Sequence, residues 1–326
     1  MSQDSTRPMD PVLEEFAGES FAKAAKRAFH ATRPKFFPAS VLPVLAGTAW
    51  GVMITGRIDM LVFLLALLAT VCVHAASNVL NDVGDESIGT DRINTKRIYP
   101  YTGGSRFIQT GILSQSRMAW LGTALLIFAS LAGIALFVQR GPVVLLFGLA
   151  GIALAVLYSL GPVKLSALGL GETSIVVAFG VLPVSGAAWL QGAPIDSAVL
   201  LFSLPVGIWV SAILLINEVP DIEADGACGK NTLPVRIGLA KTANLYLSMH
   251  IAAAAIVVWL TIRGFLPLLA PVVPVLLLVL AWRASAGIRV GIENRESMTQ
   301  AIESTLAIQT VGCLWLTGCV AFSFWW

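Results

Sequence analysis

The chain reads Asn-Val-Leu-Asn-Asp-Val-Gly-Asp-Glu-Ser-Ile-Gly-Thr-Asp from Asn78 to Asp91, at and beyond the end of the apolar run 60–80. Four acids and two amides are crowded into this stretch. Lipid cannot solvate such groups, so ionisable residues at a membrane boundary generally face the interior of a helix bundle and mark a site. We therefore expect the fold to be organised around a polar site at the end of this helix.

A second acidic stretch follows the same plan. Residues Asn217 to Asp225 read Asn-Glu-Val-Pro-Asp-Ile-Glu-Ala-Asp and follow the apolar run 197–216. Solvated loop acids would explain any single aspartate, but they do not explain two sets with similar spacing, each followed by cations. Two acidic clusters that face each other predict a site for a divalent metal and a diphosphate.

The composition is that of a membrane protein. Of the 326 residues, 56% are hydrophobic and 12% are charged, which is far from the composition of a soluble domain. An α-helix needs about 20 apolar residues to cross a bilayer. We predict an all-α integral membrane protein of about nine transmembrane helices, with an N-terminal segment (1–36) and a transmembrane domain (37–326). The charge-poor windows are 37–56, 60–80, 118–139, 141–163, 173–195, 197–217, 242–262, 264–282 and 304–326.

The positions of lysine and arginine predict the orientation, because cytoplasmic loops are enriched in both. All but three of the 21 lysines and arginines fall on one face of the predicted topology, the exceptions being Arg57, Arg140 and Arg263. The N-terminus and both acidic stretches therefore belong on the cytoplasmic side of the cell's inner membrane. The net charge of +2 does not indicate a nucleic-acid partner. Residues 10–29 have the pattern of an amphipathic helix on the membrane surface.

Helical spacing groups the polar residues of each stretch. In the first stretch four of them recur at i, i+3, i+4 and i+7, and in the second three recur at four-residue steps, so each set is predicted to share one face of a helix. Glu86 and Glu223 fall off these faces. The residues on the predicted faces are Asn78, Asn81, Asp82 and Asp85 in the first stretch, and Asn217, Asp221 and Asp225 in the second.

Basic residues after each acidic stretch suit a diphosphate, because preorganised cations stabilise developing negative charge. After the first stretch, Gly103 and Gly104 permit close backbone approach to an anion, beside Ser105 and Arg106. Lys164 is the only basic residue of its loop, and an interfacial anchor is its alternative role. The candidate cations are Arg106, Lys164, Lys230 and Arg236.

Together these motifs resemble the UbiA superfamily of intramembrane aromatic prenyltransferases, whose hallmark is two aspartate-rich motifs. The resemblance is closest to the branch that prenylates 1,4-dihydroxy-2-naphthoate. One departure lies in the second motif, where many members of that branch have Asn-Asn-x-Arg-Asp and this chain has Pro220 before Asp221. Pro220 is expected to disrupt the helix. The matching segments are Arg33-Pro-Lys35, Asn78 to Asp91, Thr102 to Arg106, Tyr158 through Gly161-Pro162 to Glu172, and Asp221 to Arg236.

The resemblance implies a fold and a reaction. It implies nine helices around a central cavity, with the acidic motifs at the cytoplasmic mouth and Mg²⁺ as cofactor. It also implies transfer of a polyprenyl group from an allylic diphosphate to an aromatic acceptor, with Tyr158 near the acceptor or the allylic cation unless it only packs. The expected metal ligands are Asp82, Asp85, Asp221 and Asp225, supported by Asn81. The other residues expected at the site are Asn78, Asp91, Ser105, Arg106, Lys164, Asn217, Lys230 and Arg236.

Three alternatives remain open on sequence alone. One is an enzyme of the same superfamily with another acceptor, such as 4-hydroxybenzoate, homogentisate, a glycerol phosphate or a porphyrin. Another is an ion-coupled secondary transporter, which would carry ionisable residues near the middle of its helices, where this chain has almost none. The last is a non-catalytic membrane protein of the same fold, which the intact aspartates disfavour.

Overall fold

The computed structural model describes residues 10–160 and 163–323, so Gly161, Pro162 and the end of the ninth predicted window lie outside the described residues. Within the described part the chain is built from α-helices joined by turns and has no strand. In chain order the helices are α1 (Leu13–Phe16), α2 (Phe21–Ala31), α3 (Pro38–Thr55), α4 (Met60–Ile88), α5 (Thr90–Ile93), α6 (Gln115–Arg140), α7 (Val143–Ser159), α8 (Gly171–Ile175), α9 (Leu182–Leu190), α10 (Ser197–Asn217), α11 (Ile222–Ala227), α12 (Leu233–Ile262), α13 (Val272–Val290) and α14 (Arg295–Ser323).

Eight helical segments in the described part are long and apolar enough to cross a bilayer. One of them combines α8, the π-helical turn Val176–Val181 and α9. The helix α7 is shorter but also apolar. The predicted all-α membrane fold of about nine helices is therefore confirmed.

One predicted membrane window is wrong in position. The window 264–282 begins after the charge of Arg263, whereas α13 starts only at Val272. Gly264 has a φ of +78° and Pro271 occupies the N-cap of α13, so the chain turns between them before the helix begins. A stretch without charged residues shows which part of the chain can lie in lipid. Glycine and proline decide where the helix within that stretch starts and ends.

The single amphipathic helix predicted over residues 10–29 is two helices in the structure. Gly18, with a φ of +117°, separates α1 from α2. Phe21 and Phe29 on α2 are exposed, as expected for a helix whose apolar side faces lipid headgroups.

The helix α4 carries the first acidic stretch past the lipid. It has 29 residues and is therefore about 44 Å long, more than the roughly 30 Å of hydrocarbon in a bilayer. Asp59 caps its start by accepting a hydrogen bond from the Val62 N–H at 3.1 Å, and Gly89 ends it with a φ of +94°. The polar residues from Asn78 to Asp85 thus lie on one continuous helix, as predicted.

The second acidic stretch is not one helix. The helix α10 ends at Asn217, residues 218–221 form turns, and α11 begins at Ile222. Pro220 has no N–H to continue the helical hydrogen bonds, so the predicted helix break is confirmed and the predicted single face over 217–225 is wrong. Asp221 consequently lies in a turn, while Asp225 lies on α11.

A close helix contact provides a test of the fold. Gly47 on α3 packs against the backbone of Val184 on α9, where an added Cβ would lie 2.1 Å from the Val184 carbonyl oxygen. Gly47→Val should therefore lower the Tm of the purified protein, since overpacking costs about 1–3 kcal/mol. Gly318→Val on α14 is the matched control, because an added Cβ there meets no described atom within 4 Å. Equal Tm values for the two variants in detergent would contradict this packing.

Candidate active site

Asp82 on α4 lies at the centre of a buried polar cluster. Its Oδ1 accepts a hydrogen bond from Nη2 of Arg33, and its Oδ2 accepts from the Ser105 N–H at 3.0 Å and from the Ser105 hydroxyl. Arg33 has a left-handed φ of +55° directly before Pro34. The N-terminal segment and the loop between α5 and α6 therefore reach Asp82 from two directions.

Lys230 connects the two acidic stretches. Its Nζ donates to Oδ1 of Asp85 at 2.9 Å and lies 3.6 Å from Oδ1 of Asp225. Burial alone would lower the pKa of Lys230, but the charges of Asp85 and Asp225 outweigh burial and raise the pKa well above its usual value. Lys230 is therefore a cation that joins an aspartate of α4 to an aspartate of α11.

Burial raises the pKa of three aspartates of the cluster. Burial raises the pKa of Asp221, although Asn94 opposes the shift by donating a hydrogen bond to it at 2.6 Å. Burial and neighbouring carboxylates raise the pKa of Asp91 to about 8. Burial raises the pKa of Asp225 to about 7, against the charge of Lys230. Oδ2 of Asp91 and Oδ2 of Asp225 have no hydrogen-bond partner among the described residues, so the cluster has oxygens to offer a further cation.

These oxygens fit a magnesium ion that binds together with a diphosphate. Mg²⁺ prefers oxygen ligands and usually takes one or two carboxylates, completing its shell with water and phosphate. In residues 10–160 and 163–323, no three acidic, histidine or cysteine side chains converge into a complete metal cage. Such a cage is not needed when a diphosphate supplies the remaining ligands. The carboxylates of the cluster and its two unpartnered oxygens are therefore of the ligand type that Mg²⁺ prefers.

Gly104 lets the backbone of its loop lie directly against two of the aspartates. An added Cβ at Gly104 would lie 2.7 Å from Oδ2 of Asp91 and 3.0 Å from Oδ1 of Asp82. The φ of Gly104 is +76°, and that of the preceding Gly103 is +71°. Only glycine combines this conformation with this free space, so the pair of glycines lets the backbone of the loop approach the acids.

Asp10 holds the loop between α5 and α6 against the N-terminal segment. Its carboxylate accepts from Nη2 of Arg97 at 2.7 Å and from Nε of Arg106 at 3.1 Å. Arg106 also donates through Nη1 to the carbonyl of Asp91. The guanidinium of Arg106, which the sequence suggests as a diphosphate ligand, is thus engaged in fastening the loop.

The predicted asparagines connect neighbouring segments. Asn78 donates through Nδ2 to the carbonyl of Thr32 at 3.0 Å, and Asn81 donates through Nδ2 to the hydroxyl of Ser159 at 3.0 Å. Oδ1 of Asn217 is buried without a hydrogen-bond partner in the described part. The two asparagines of the first stretch therefore position the N-terminal segment and the end of α7 around Asp82.

Two predicted cations form no salt bridge with a described residue. Arg236 is exposed and donates through Nε to the carbonyl of Asn231 at 2.9 Å. Lys164 is half-buried and has a left-handed φ of +44°. The structure therefore pairs neither residue with the aspartates that Lys230 joins.

Sequence reasoning missed four residues of this region. Arg33 is separated from Asp82 by 49 positions, and its place in the matching segment Arg33-Pro-Lys35 is the signal that could have indicated a role at the site. Asn94 holds Asp221. Two buried carboxyl groups, Glu172 and Glu218, lie nearby. Burial and then the charge of Glu172 raise the pKa of Glu218 well above its usual range.

An apolar cavity of about 330 Å³ lies between α4, α6, α7 and the segment from α8 to α9. Tyr158, at the end of α7, lines this cavity. Its electrostatic neighbours include Glu218, Lys230, Glu172 and Asp85. Tyr158 therefore lies where the apolar cavity meets the polar cluster.

Comparison with known proteins identifies the family. The sequence profile of the UbiA prenyltransferase family matches residues 40–325. The chain is similar to the 1,4-dihydroxy-2-naphthoate octaprenyltransferase of Haemophilus influenzae, with 36% identity over 66% of this chain and 70% of that protein. It is also similar to the 1,4-dihydroxy-2-naphthoate octaprenyltransferase of Mycobacterium tuberculosis, with 30% identity over 89% of this chain and 95% of that protein.

A solved structure shows the same fold. The UbiA homolog from Archaeoglobus fulgidus bound to DMAPP and Mg²⁺ superposes with a TM-score of 0.64 over 87% of this chain and 99% of that chain, at 16% identity. The family match spans both acidic stretches and favours an enzyme over the transporter and the non-catalytic protein considered above. This multi-pass membrane protein thus belongs, as its motifs predict, to the UbiA prenyltransferase family.

Proposed function

We propose that this enzyme transfers a polyprenyl group from an allylic diphosphate to 1,4-dihydroxy-2-naphthoate or a related naphthoate, with Mg²⁺, in the biosynthesis of menaquinone or a similar quinone. The observation that carries the proposal is the joining of two acidic stretches by Lys230 beside an apolar cavity. The names of the relatives from Haemophilus influenzae and Mycobacterium tuberculosis support the acceptor class.

The donor suits a site with a charged end and an apolar end. Lys230 and Arg33 already contact aspartates of the cluster and would neutralise part of the diphosphate charge. The cavity would take the isoprenoid tail, and its apolar wall keeps water away from a reactive allylic cation. Bound Mg²⁺ supplies positive charge to the diphosphate oxygens as the C–O bond breaks. Its proposed ligands are Asp82, Asp85, Asp221 and Asp225, with Asn81 beside them.

The other predicted residues would surround the diphosphate. Lys164 and Arg236 form no salt bridge with a described residue and would be available as further cations. Ser105 orients Asp82, and Arg106 holds the loop that carries Ser105. The proposed supporting residues are Asn78, Asp91 and Asn217.

Transfer then needs the acceptor ring to face the allylic carbon. A ring carbon forms the new C–C bond, and the electron pair of the broken C–O bond leaves with the diphosphate. Loss of carbon dioxide from the carboxylated ring carbon, or of a proton from an unsubstituted one, restores aromaticity. Tyr158 borders the place where the cavity meets the cluster and would orient one of the two reactants.

We further propose that the N-terminus and the mouth of the site face the cytoplasm, in the cytoplasmic membrane. The excess of lysine and arginine on that face supports this orientation. The helix α2 would lie along the membrane surface, where its exposed Phe21 and Phe29 would face lipid.

A direct assay tests the proposed reaction. Purified protein in detergent is incubated with Mg²⁺, radiolabelled geranylgeranyl diphosphate and either 1,4-dihydroxy-2-naphthoate or 4-hydroxybenzoate. We expect a prenylated, decarboxylated naphthoate product that disappears when EDTA removes the metal. A product with 4-hydroxybenzoate alone would change the acceptor and keep the site. No product with either acceptor would refute the proposal.

The glycine pair in the loop provides a second test. Gly104→Ala should lower turnover by about tenfold or more, because the new Cβ crowds Asp91 and Asp82 and the left-handed φ strains alanine. Gly111→Ala is the matched control, since Gly111 has a φ of +73° but meets no described atom within 4 Å. Equal turnover of the two variants would show that strain alone, and not crowding of the aspartates, explains any loss.

A further inference from the structure

Two buried carboxyl groups have no role in the donor site. Glu172 lies in the first turn of α8 and is 8% exposed, and Glu218 follows the end of α10 and is 7% exposed. Both carboxylate oxygens of Glu172 and Oε2 of Glu218 lack a hydrogen-bond partner among the described residues. Buried polar groups are normally paired, because an unpaired one loses its hydration without compensation. These oxygens therefore point to a missing hydrogen-bond donor.

The pair lies close to residues that line the apolar cavity. An added Cβ at Gly171 would lie 3.7 Å from Oε1 of Glu218 and 3.7 Å from the Tyr158 hydroxyl, so the two groups flank the same point. Ile175 lines the cavity together with Tyr158. Glu172 lies three residues before Ile175 and hence on the same side of the helix. The pair therefore lies next to Tyr158, where the cavity meets the cluster around Lys230.

The partners already in the protein account for only part of this pair. The carboxyl groups of Glu172 and Glu218 lie close enough to hydrogen-bond to each other, but one such bond engages a single oxygen of each group and leaves a buried oxygen of Glu172 without a partner. Burial raises the pKa of Glu218, and the charge of Lys230 acts to lower it. The salt bridges of Lys230, however, are to Asp85 and Asp225. No salt bridge to Glu172 or Glu218 occurs in the described part of the chain. The carbonyl of Glu172 accepts from the Ser211 hydroxyl at 3.0 Å, which fixes the backbone without engaging the carboxyl group. A ligand that brings a hydrogen-bond donor would satisfy these oxygens.

We propose that Glu172 and Glu218 bind a hydroxyl group of the aromatic acceptor and so select a hydroxylated ring. This inference rests on the proposed function, which supplies an acceptor with two hydroxyl groups next to the same cavity. When the ring forms its C–C bond to the allylic carbon and the C–O electron pair leaves with the diphosphate, positive charge builds on the ring. A hydroxyl that donates to a carboxyl group shares that charge, so the hydrogen bond strengthens in the transition state. Loss of the ring carboxylate as carbon dioxide then balances the reaction without an oxidant.

The first experiment separates acceptor binding from donor binding. Glu172→Gln and Glu218→Gln should each raise the acceptor KM by about tenfold to a hundredfold, the usual cost of losing a hydrogen bond to a charged group. The donor KM and the Mg²⁺ dependence should stay within about twofold of wild type. Glu223→Gln is the control, because Glu223 is an exposed carboxylate paired with Lys96. A raised donor KM with an unchanged acceptor KM would overturn the inference.

The second experiment removes a hydroxyl group from the acceptor instead of the carboxyl group from the protein. The affinities of 1-hydroxy-2-naphthoate and 4-hydroxy-2-naphthoate, each lacking one hydroxyl of the acceptor, are measured as inhibition constants in wild type and Glu172→Gln. One analogue should bind to the wild-type protein more weakly than 1,4-dihydroxy-2-naphthoate does. The affinity of that analogue should not fall further in Glu172→Gln. Additive losses for both analogues would refute the contact, because independent groups add.

The two hypotheses fail in distinguishable ways. This inference alone would be overturned by two results together. The wild-type protein would prenylate the naphthoate, and Glu172→Gln would keep the wild-type acceptor KM and the wild-type response to both analogues. Wild-type protein that neither binds a hydroxynaphthoate nor yields product would overturn the proposed function and this inference with it. Retained Tm values in both glutamine variants are expected, since glutamine preserves the shape of the side chain.

Discussion

Prenyl transfer should fall by about a thousandfold or more when Asp221 is replaced by asparagine. Asp221 is one of four aspartates proposed to bind Mg²⁺, and electrostatic stabilisation of developing charge often contributes more to catalysis than any other effect. The substitution is conservative for the fold, because an asparagine carbonyl still accepts the hydrogen bond that Asn94 now donates at 2.6 Å. The expected defect is therefore in turnover and Mg²⁺ dependence, while the Tm without metal stays near that of wild type.

A substitution of Asp82 would test the same metal assignment less specifically, because it would also disturb the fold. The Asp82 carboxylate holds both Arg33 and Ser105, so its removal also leaves a cation without its partner, and loss of fold would accompany loss of activity. Glu223→Gln on α11 is the matched control for Asp221→Asn, since Glu223 is exposed and close in sequence. Turnover of Asp221→Asn above half of the control value, at saturating Mg²⁺, would show that the metal assignment is wrong.

Lys230→Met should affect both the fold and the reaction. Lys230 is the cation that separates Asp85 from Asp225, and removal of one partner from a buried ion pair costs about 3–5 kcal/mol. We expect a large fall in the metal-free Tm and a fall in turnover of about a hundredfold or more. Added Mg²⁺ should recover part of the Tm, because a ligand that binds only the folded state stabilises it.

The control for Lys230 is Lys241→Met, which removes an exposed lysine from α12. Its Tm and turnover should match wild type. The Tm values of both variants are compared by thermal unfolding, first with EDTA and then at a series of Mg²⁺ concentrations. If Lys230→Met unfolds at the temperature of Lys241→Met and keeps its turnover, then Lys230 is not the residue that holds the two stretches together.

The shared face of the first acidic stretch could be predicted because it depends on local structure. The run before Asn78 is apolar and free of helix breakers, and α4 continues through the acids until Gly89. The same reasoning failed for the second stretch, where spacing suggested one face and Pro220 interrupts the helix before Asp221. A four-residue period indicates a shared face only where every residue between can be helical.

Pairing between charges could not be predicted in the same way. Lys230 and Arg106 were equivalent candidates in the sequence, each a cation after an acidic stretch. The structure places Lys230 between Asp85 and Asp225, whereas Arg106 fastens a loop to Asp10. The difference arises because loop closure decides which of several cations reaches a given carboxylate, and spacing along the chain carries no information about that choice.

The sequence by itself determined that this protein lies in a membrane, that its helices end in two acidic stretches, and that those stretches suit a metal and a diphosphate. Hydrophobicity and helical period are local properties, and so they can be read one segment at a time. Only the tertiary structure decided that Arg33 meets Asp82, that Lys230 joins the two stretches, and that Glu172 and Glu218 are buried beside each other. Each of these contacts joins segments far apart in the chain, and the packing of the helices alone sets the distances between them.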